Sequence, residues 1–266
     1  MTNIMKNSKL FTVSACLLFA VLCSTSEIKA EEAYNISIGV TEGAKTVSKT
    51  KSKKRGFKRG TLEIGGIGLG YNGMINNLGD LSLPEEYSYL DQEAKSINFN
   101  LYILNYTYNV TRNFGFGTGL ELEVNNFRFE NNMTIIRDAD GIIGPDWSYT
   151  ERGIYLSKSK LVTCYLNVPL FAKVTWGRSN WQLYGGLMGG WRIGSHTKIK
   201  TSSDQMKGKH KNHKNLNLRN FHYGYTAGLS YKYYGIYATY YPTSIFKPDI
   251  GPDIQQVNVG ISLRFW

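Results

Sequence analysis

Paired acids and clustered histidines are where chemistry would begin, and this sequence has few of either. Glu121 and Glu123 stand two residues apart in "FGFGTGLELEV". On a strand that spacing puts both carboxylates on one face. Such a pair suits acid–base work in a cleft, or a charge network inside a closed structure. The histidines are His196, His210, His213 and His222. "HKNH" brings His210 and His213 close together, but within a lysine-rich stretch with no acid beside them. It reads as a solvated loop rather than a metal site. "RDADGIIGPD" supplies Asp138, Asp140 and Asp146 and opens like a calcium loop. Gly141 comes too early in it and no distal glutamate is in register, so calcium is not expected. There is no G-x-S-x-G and no Ser-His-Asp set carried on strands. No catalysis, cofactor or metal is expected.

The elements that would position Glu121 and Glu123 are strands. The chain has 266 residues with 19 Tyr, 12 Phe, 5 Trp and 28 Gly but only 6 Pro. Strand-forming aromatics abound in a chain that is not apolar on average, which favours an all-β fold. From Gly60 onward the recurring pattern is alternation with period two. Eight candidate strands follow, at 61–73, 96–109, 114–129, 160–176, 181–196, 219–233, 235–241 and 254–266. The connections alternate in length. "VTR", "GRSN" and the turn at "YYG" are short, and the others are long and polar. Every long loop therefore falls at one end of the sheet and every short turn at the other. An outer-membrane barrel has that asymmetry, with short periplasmic turns and long outer loops.

On five of the strands one parity is uncharged, over Phe114–Val124, Leu166–Val174, Trp181–Ile193, Phe221–Tyr233 and Val257–Phe265. It runs Leu166, Val168, Leu170 on the fourth strand, Trp181, Leu183, Leu187, Trp191 on the fifth, and Val257, Val259, Ile261, Leu263, Phe265 on the last. Bulky aromatics gather toward both ends of this face, as in interfacial girdles. The other parity holds Glu121, Glu123, Lys173, Arg192, Lys232 and Arg264, together with many glycines. A charge facing lipid costs about 2–4 kcal/mol at the midplane, so these are expected inside, neutralising one another as a packed structural network. A soluble secreted barrel binding an apolar ligand would also alternate, but with its apolar face inward. A small solute or lipid channel is a further alternative, which the narrow interior of eight strands disfavours. "LEIGGIGLGYNG" changes parity near Gly65–Gly66, where a bulge is expected.

The ends of the chain fit export. Residues 1–30 read as a signal peptide, with a basic start, the apolar run "LFTVSACLLFAVLC" and a cut after Ala30. A lipoprotein signal ending at Cys23 is the alternative. Cys16 and Cys23 leave with the signal, so Cys164 has no intrachain disulfide partner. Residues 31–59 form a basic periplasmic segment, which "KTVSKTKSKKRGFKRG" loads with eight Lys and Arg and no acid. It contributes much of the net charge of +11. In an exported chain with one aromatic in that run, nucleic acid is not an expected partner. Expected partners are outer-membrane lipids, the barrel-assembly machinery, and lipopolysaccharide or secretion and envelope proteins. The basic loop 198–214 is the place for lipopolysaccharide.

At "CYLNVPLFAKV" the chain resembles the PorT-like type of outer-membrane β-barrel family, through Tyr165, Leu166, Pro169 and Leu170. The flanking "FGFGTGLELE", "WQLYGGLMGGW" and "FHYGYTAGLSYKYYGIYATYY" are similar in pattern, so the resemblance spans 60–266. It implies an integral outer-membrane protein of a Gram-negative cell, and some relatives support protein secretion. Asn167 stands where that family commonly has an acid. Pro169 lacks an N–H and is expected to sit at a bulge. The terminal aromatics Phe265 and Trp266 resemble the signal read by barrel-assembly machinery. Deleting Phe265 and Trp266 is expected to impair membrane assembly far more than deleting two residues from a long loop. The measurement is the fraction of protein that reaches the membrane and shifts on a denaturing gel when boiled.

Overall fold

The computed structural model describes residues 59–78, 80–176, 180–201, 209–212 and 216–264. The expected signal peptide, the basic segment up to residue 58, and Phe265 and Trp266 lie outside the described residues. The chain forms an all-β, closed, eight-stranded antiparallel barrel. Its first strand is made of β1 (Gly60–Ile64) and β2 (Gly66–Ile75). Around the ring follow β3 (Ile97–Asn109), β4 (Phe114–Arg128), β7 (Leu156–Thr175), β8 (Trp181–Thr201), β10 (Phe221–Tyr231), β11 (Tyr234–Tyr241) and β12 (Gln255–Arg264). β12 closes the ring on β2, from Gln255–Ile75 to Arg264–Gly66. Closure removes every open sheet edge along the wall.

The faces sort as the alternation predicts, with the apolar one outward. Leu69, Leu101, Leu170, Leu183, Leu187, Tyr225 and Ile261 are exposed on the wall, while Asn72, Asn100, Glu123, Asn167 and Asn258 are buried within. A soluble barrel with an apolar interior would show the reverse. The outer wall therefore needs an apolar solvent, and hydrocarbon supplies it.

The parity change near Gly65 is real and has a partner. Leu62 and Ile64 face out on β1, and Ile67, Leu69 and Tyr71 face out on β2, so Gly65 is the extra residue. It takes φ of 84°, a conformation glycine adopts without a Cβ penalty. Its N–H reaches Ile103 O at 3.2 Å, where the β3–β4 register also slips between Tyr102 and Leu104. Pro169 departs from expectation. Its register with Met188 is regular, and β7 instead slips between Cys164 and Tyr165. Toward β4 the ladder is interrupted between Leu170–Thr118 and Asn167–Glu121 without a change of register. The missing N–H is accommodated by lost pairing rather than by an added residue.

Inside, large side chains lie over glycines. A Cβ on Gly228 would overlap the Tyr184 ring, one on Gly224 the Tyr241 ring, and one on Gly117 the Phe171 ring. The lumen is thus filled by its own aromatics, as the narrow bore of an eight-stranded barrel requires.

The long-loop end carries structure that alternation did not predict. A hairpin of β5 (Thr134–Arg137) and β6 (Ile143–Asp146), a short helix (Ser148–Glu151), a 3-10 turn (Glu85–Leu90) and β9 (Lys209–Asn212) lie in the connections. These loops share a core of Leu90, Phe127, Phe129, Met133, Ile135 and Phe246, with Leu218 and Ile254, all buried. The loops are tied to each other at Leu218–Phe246, at Gln92–Phe129 and by Ile143 N to Ile250 O at 3.1 Å. β8 runs past its expected end to Thr201, because Thr197, Ile199 and Thr201 still bury their side chains inward while Lys198 and Lys200 face out. Gly228→Ala is expected to destabilise the barrel by about 1–3 kcal/mol, since the Tyr184 ring must move. The unfolding midpoint of the lipid-embedded protein in urea measures it.

Candidate functional site

A polar lumen in a lipid-facing barrel must satisfy its own hydrogen bonds, because no bulk water reaches it. Glu123 on β4 is the centre of that accounting, with 1% of its surface exposed. Asn125 Nδ2 donates to its Oε1 at 2.6 Å and Tyr241 Oη to its Oε2 at 2.6 Å. Asn167 Nδ2 donates to Oε2 at 3.0 Å, and Gln256 Nε2 and Asn258 Nδ2 to Oε1 at 3.2 Å each. These donors come from β4, β7, β11 and β12, so one carboxylate ties strands on opposite sides of the ring. All are neutral. Among the described residues the carboxyl group is held by oriented dipoles rather than by a cation.

The network continues on both sides. Tyr237 Oη donates to Asn98 Oδ1 at 2.6 Å, and Asn98 Nδ2 to Asn125 Oδ1 at 2.8 Å. His222 is stacked between Tyr165, at 3.9 Å between ring centroids, and Tyr241, at 4.1 Å. Its Nε2 lies 2.9 Å from Asn167 Oδ1. Asn167 Nδ2 donates to Glu123 Oε2 and to Tyr241 Oη, which leaves Oδ1 as the acceptor of a proton on His222 Nε2. An acid at 167, as in the PorT-like pattern, would set a second carboxylate against Glu123. Asparagine replaces that repulsion with donation.

The other charges expected in the lumen divide. Lys173 pairs with Glu63 at 3.9 Å, both nearly buried. Alternation alone does not place Glu63 inward, because its strand changes parity at Gly65. Arg264 lies over Tyr184 at 4.8 Å and Tyr102 at 5.4 Å. It lines one cavity of about 20 Å³ with Glu121, Tyr102 and Tyr184. That is about the volume of one water. Arg192 belongs elsewhere. It donates to the carbonyls of Arg219 and Leu218 and to Ser195 Oγ and Asn220 Oδ1, at 2.7–3.2 Å, and so holds the rim at the long-loop end. Lys232 corrects the expectation outright. It sits exposed in the β10–β11 turn with φ of 53°, because a two-residue turn needs a left-handed residue there and the parity of the strand ends with it. Glu121 and Glu123 therefore do not face Arg192 or Lys232. The terminal pair Phe265 and Trp266 lies outside the described residues.

The loop acids cap turns. Asp138 Oδ1 accepts from Ile142 N at 2.7 Å and Asp146 Oδ1 from Ser148 N at 3.0 Å. Among the described residues no cluster of His, Cys, Asp and Glu could hold a metal ion. His213 and the side chain of His210 lie outside them. The arrangement can lock strands and fill a bore. Around Glu123 its polar groups are committed to one another, while Asn72 is buried without a hydrogen bond to its side-chain amide.

Residues 47–246 match the family model described as outer membrane protein beta-barrel domain. No curated protein matches the chain. Among solved structures the chain is similar to Ail, the attachment invasion locus protein of Yersinia pestis, at 16% identity and a TM-score of 0.34, over 77% of this chain and 98% of that one. It is also similar to the CymD monoaromatic hydrocarbon channel, at 11% identity and a TM-score of 0.23, over 77% of this chain and 66% of that one. Likenesses at these scores say nothing about activity. Glu123→Ala strands buried donors on four strands and is expected to lower stability by about 3 kcal/mol or more. Glu123→Gln, which keeps one acceptor, is expected to cost less. The midpoint of urea unfolding in lipid checks both.

Proposed function

Because the chain belongs to the outer membrane protein beta-barrel domain family, we propose that it works as an anchor without catalysis, holding a folded outer lid at the surface of the outer membrane for interaction with other envelope components. One observation carries this reading. The described parts of the long loops pack on a core of their own over a lumen filled by the Glu123 network. A conduit would need an open bore and mobile or retracted loops. Here the bore holds a hydrogen-bonded plug, and its outer end is covered by Leu90, Phe127, Phe129 and Phe246.

The lid also offers contact surface. Leu78, Leu81, Ile142, Trp147 and Tyr155 are exposed on the loops. Exposed apolar groups on a rigid frame are what a protein partner uses. The similarity of "YLNVPL" to the PorT-like type supports a partner among secretion or envelope proteins of a Gram-negative cell. Export by a cleaved signal and recognition of Phe265 and Trp266 by assembly machinery belong to the same reading.

The test is electrical. Full-length protein inserted in a planar bilayer is expected to show no steady single-channel steps. Reproducible steps from the intact protein would replace the anchor with a small-solute channel.

A further inference from the structure

Where β4, β7 and β8 rise past the aromatic row of Trp191 and Phe221, their outward face changes character. On β7, Leu166, Cys164 and Val162 carry the apolar parity upward, and Lys160 and Lys158 follow on the same face. Sheet register lines these up with other cations. Arg128 pairs with Lys160, Lys160 with Lys198, and Lys198 with Lys211. Lys158 pairs with Lys200 on the next rung. Directly paired residues share a face with Cβ atoms about 5 Å apart. An unbroken row of cations therefore crosses β4, β7, β8 and β9.

Like charges directly opposite one another destabilise a sheet. This fold repeats that cost over successive strand pairs. Among the described residues the single ion pair reaching the row is Arg128 Nε with Glu93 at 2.9 Å. Lys160 donates to Asn126 Oδ1. A groove of about 310 Å³ opens on this face between Lys95, Ile97, Asn126, Arg128, Lys158 and Lys160. Its size suits a phosphorylated sugar.

Position selects the occupant. The groove lies on the side wall, on the parity of Val124 and Leu166, and not on top of the lid. A ligand there must stand beside the barrel, with apolar chains along the wall and anionic groups at and above the membrane interface. Resting on the outer-membrane reading above, we propose that Arg128, Lys160, Lys198 and Lys211, with Lys158 and Lys200, hold the phosphate groups of an anionic outer-leaflet glycolipid. The sequence placed such a contact in the loop 198–214. The structure moves it to a rigid sheet in which β4 and β7 supply half of the row.

Full-length protein in phosphatidylcholine nanodiscs, titrated with diphosphorylated lipid A, tests this. Expected is saturable binding that weakens with added salt, falls roughly 10- to 30-fold in K160Q/K198Q, and is kept in K160R/K198R. Dephosphorylated lipid A should bind no better to wild type than to K160Q/K198Q. Equal binding of wild type and K160Q/K198Q would overturn the proposal. So would displacement by inorganic phosphate at the concentrations at which lipid A binds, which would make this a free-phosphate site. The boiling shift on a gel is read on the same samples. A variant that keeps the shift is a folded barrel, so lost binding then reports on the row. A wild type without the shift would overturn the barrel itself. If K160Q/K198Q loses the shift, K200Q, at an exposed position, replaces it, and several-fold weaker binding is expected. Without lipid A, K198Q should slow amide exchange at the outer ends of β7 and β8. Unchanged exchange would show that no repulsion is stored there, against the proposal.

Discussion

A buried carboxyl group held, among the described residues, by neutral donors alone is the constraint around which this barrel is arranged. Glu123 accepts from Asn125, Tyr241, Asn167, Gln256 and Asn258, and each donor is itself fixed by a further contact or by a lumen-facing strand. The wall faces hydrocarbon, so polarity has to go inward, where each group is costly unless it finds a partner. That demand explains the amides along β3, β7 and β12, the tyrosines that reach across, and the glycines that make room for them. It also explains why the lumen is a plug. A passage would expose donors that now hold the charge.

Ion pairing is secondary here. Lys173 and Glu63 lie 3.9 Å apart, and Arg264 is settled among Tyr102, Tyr184 and Glu121. Neutral dipoles carry the centre, and charge pairs serve the short-turn half. Above the membrane the logic changes again. The same strands continue, but their inner face packs the apolar lid core and their outer face turns basic. A single β-sheet thus meets three solvents in succession: its own polar lumen, the hydrocarbon outside, and the interface with its anionic headgroups.

Much of this was legible in particular residues. Leu166, Val168 and Leu170 against Asn167 and Lys173 give the faces of β7, and "VTR" and "GRSN" give the polarity of the ends. Gly65 was readable as a break because Leu62 and Ile64 disagree in parity with Ile67 and Leu69. Glu121 and Glu123 were readable as inward. Of the cations assigned to face them, Lys173 and Arg264 do lie inward, while Arg192 holds the rim. Lys232 shares the inward parity of its strand on paper, but the strand ends one residue earlier. The outermost reaches of β7 and β8 read as loop, because Lys158, Lys198 and Lys200 look like solvated charge when the alternate Ile199 has no visible partner.

The division follows sequence distance. Alternation, turn chemistry and the placement of aromatics are written in neighbouring residues, because a strand's side chains point alternately by backbone geometry alone. The sequence by itself therefore determined an all-β chain, the ring of antiparallel strands, the apolar outer wall and the end that bears the long loops. Only the tertiary structure decided who satisfies Glu123, since its partners Asn167 and Asn258 lie 44 and 135 residues away. It also decided that the loops share a core and that Arg128, Lys160, Lys198 and Lys211 form one row. Register between strands sets those meetings, and register is fixed by closing the ring, a global condition that no local stretch of residues records.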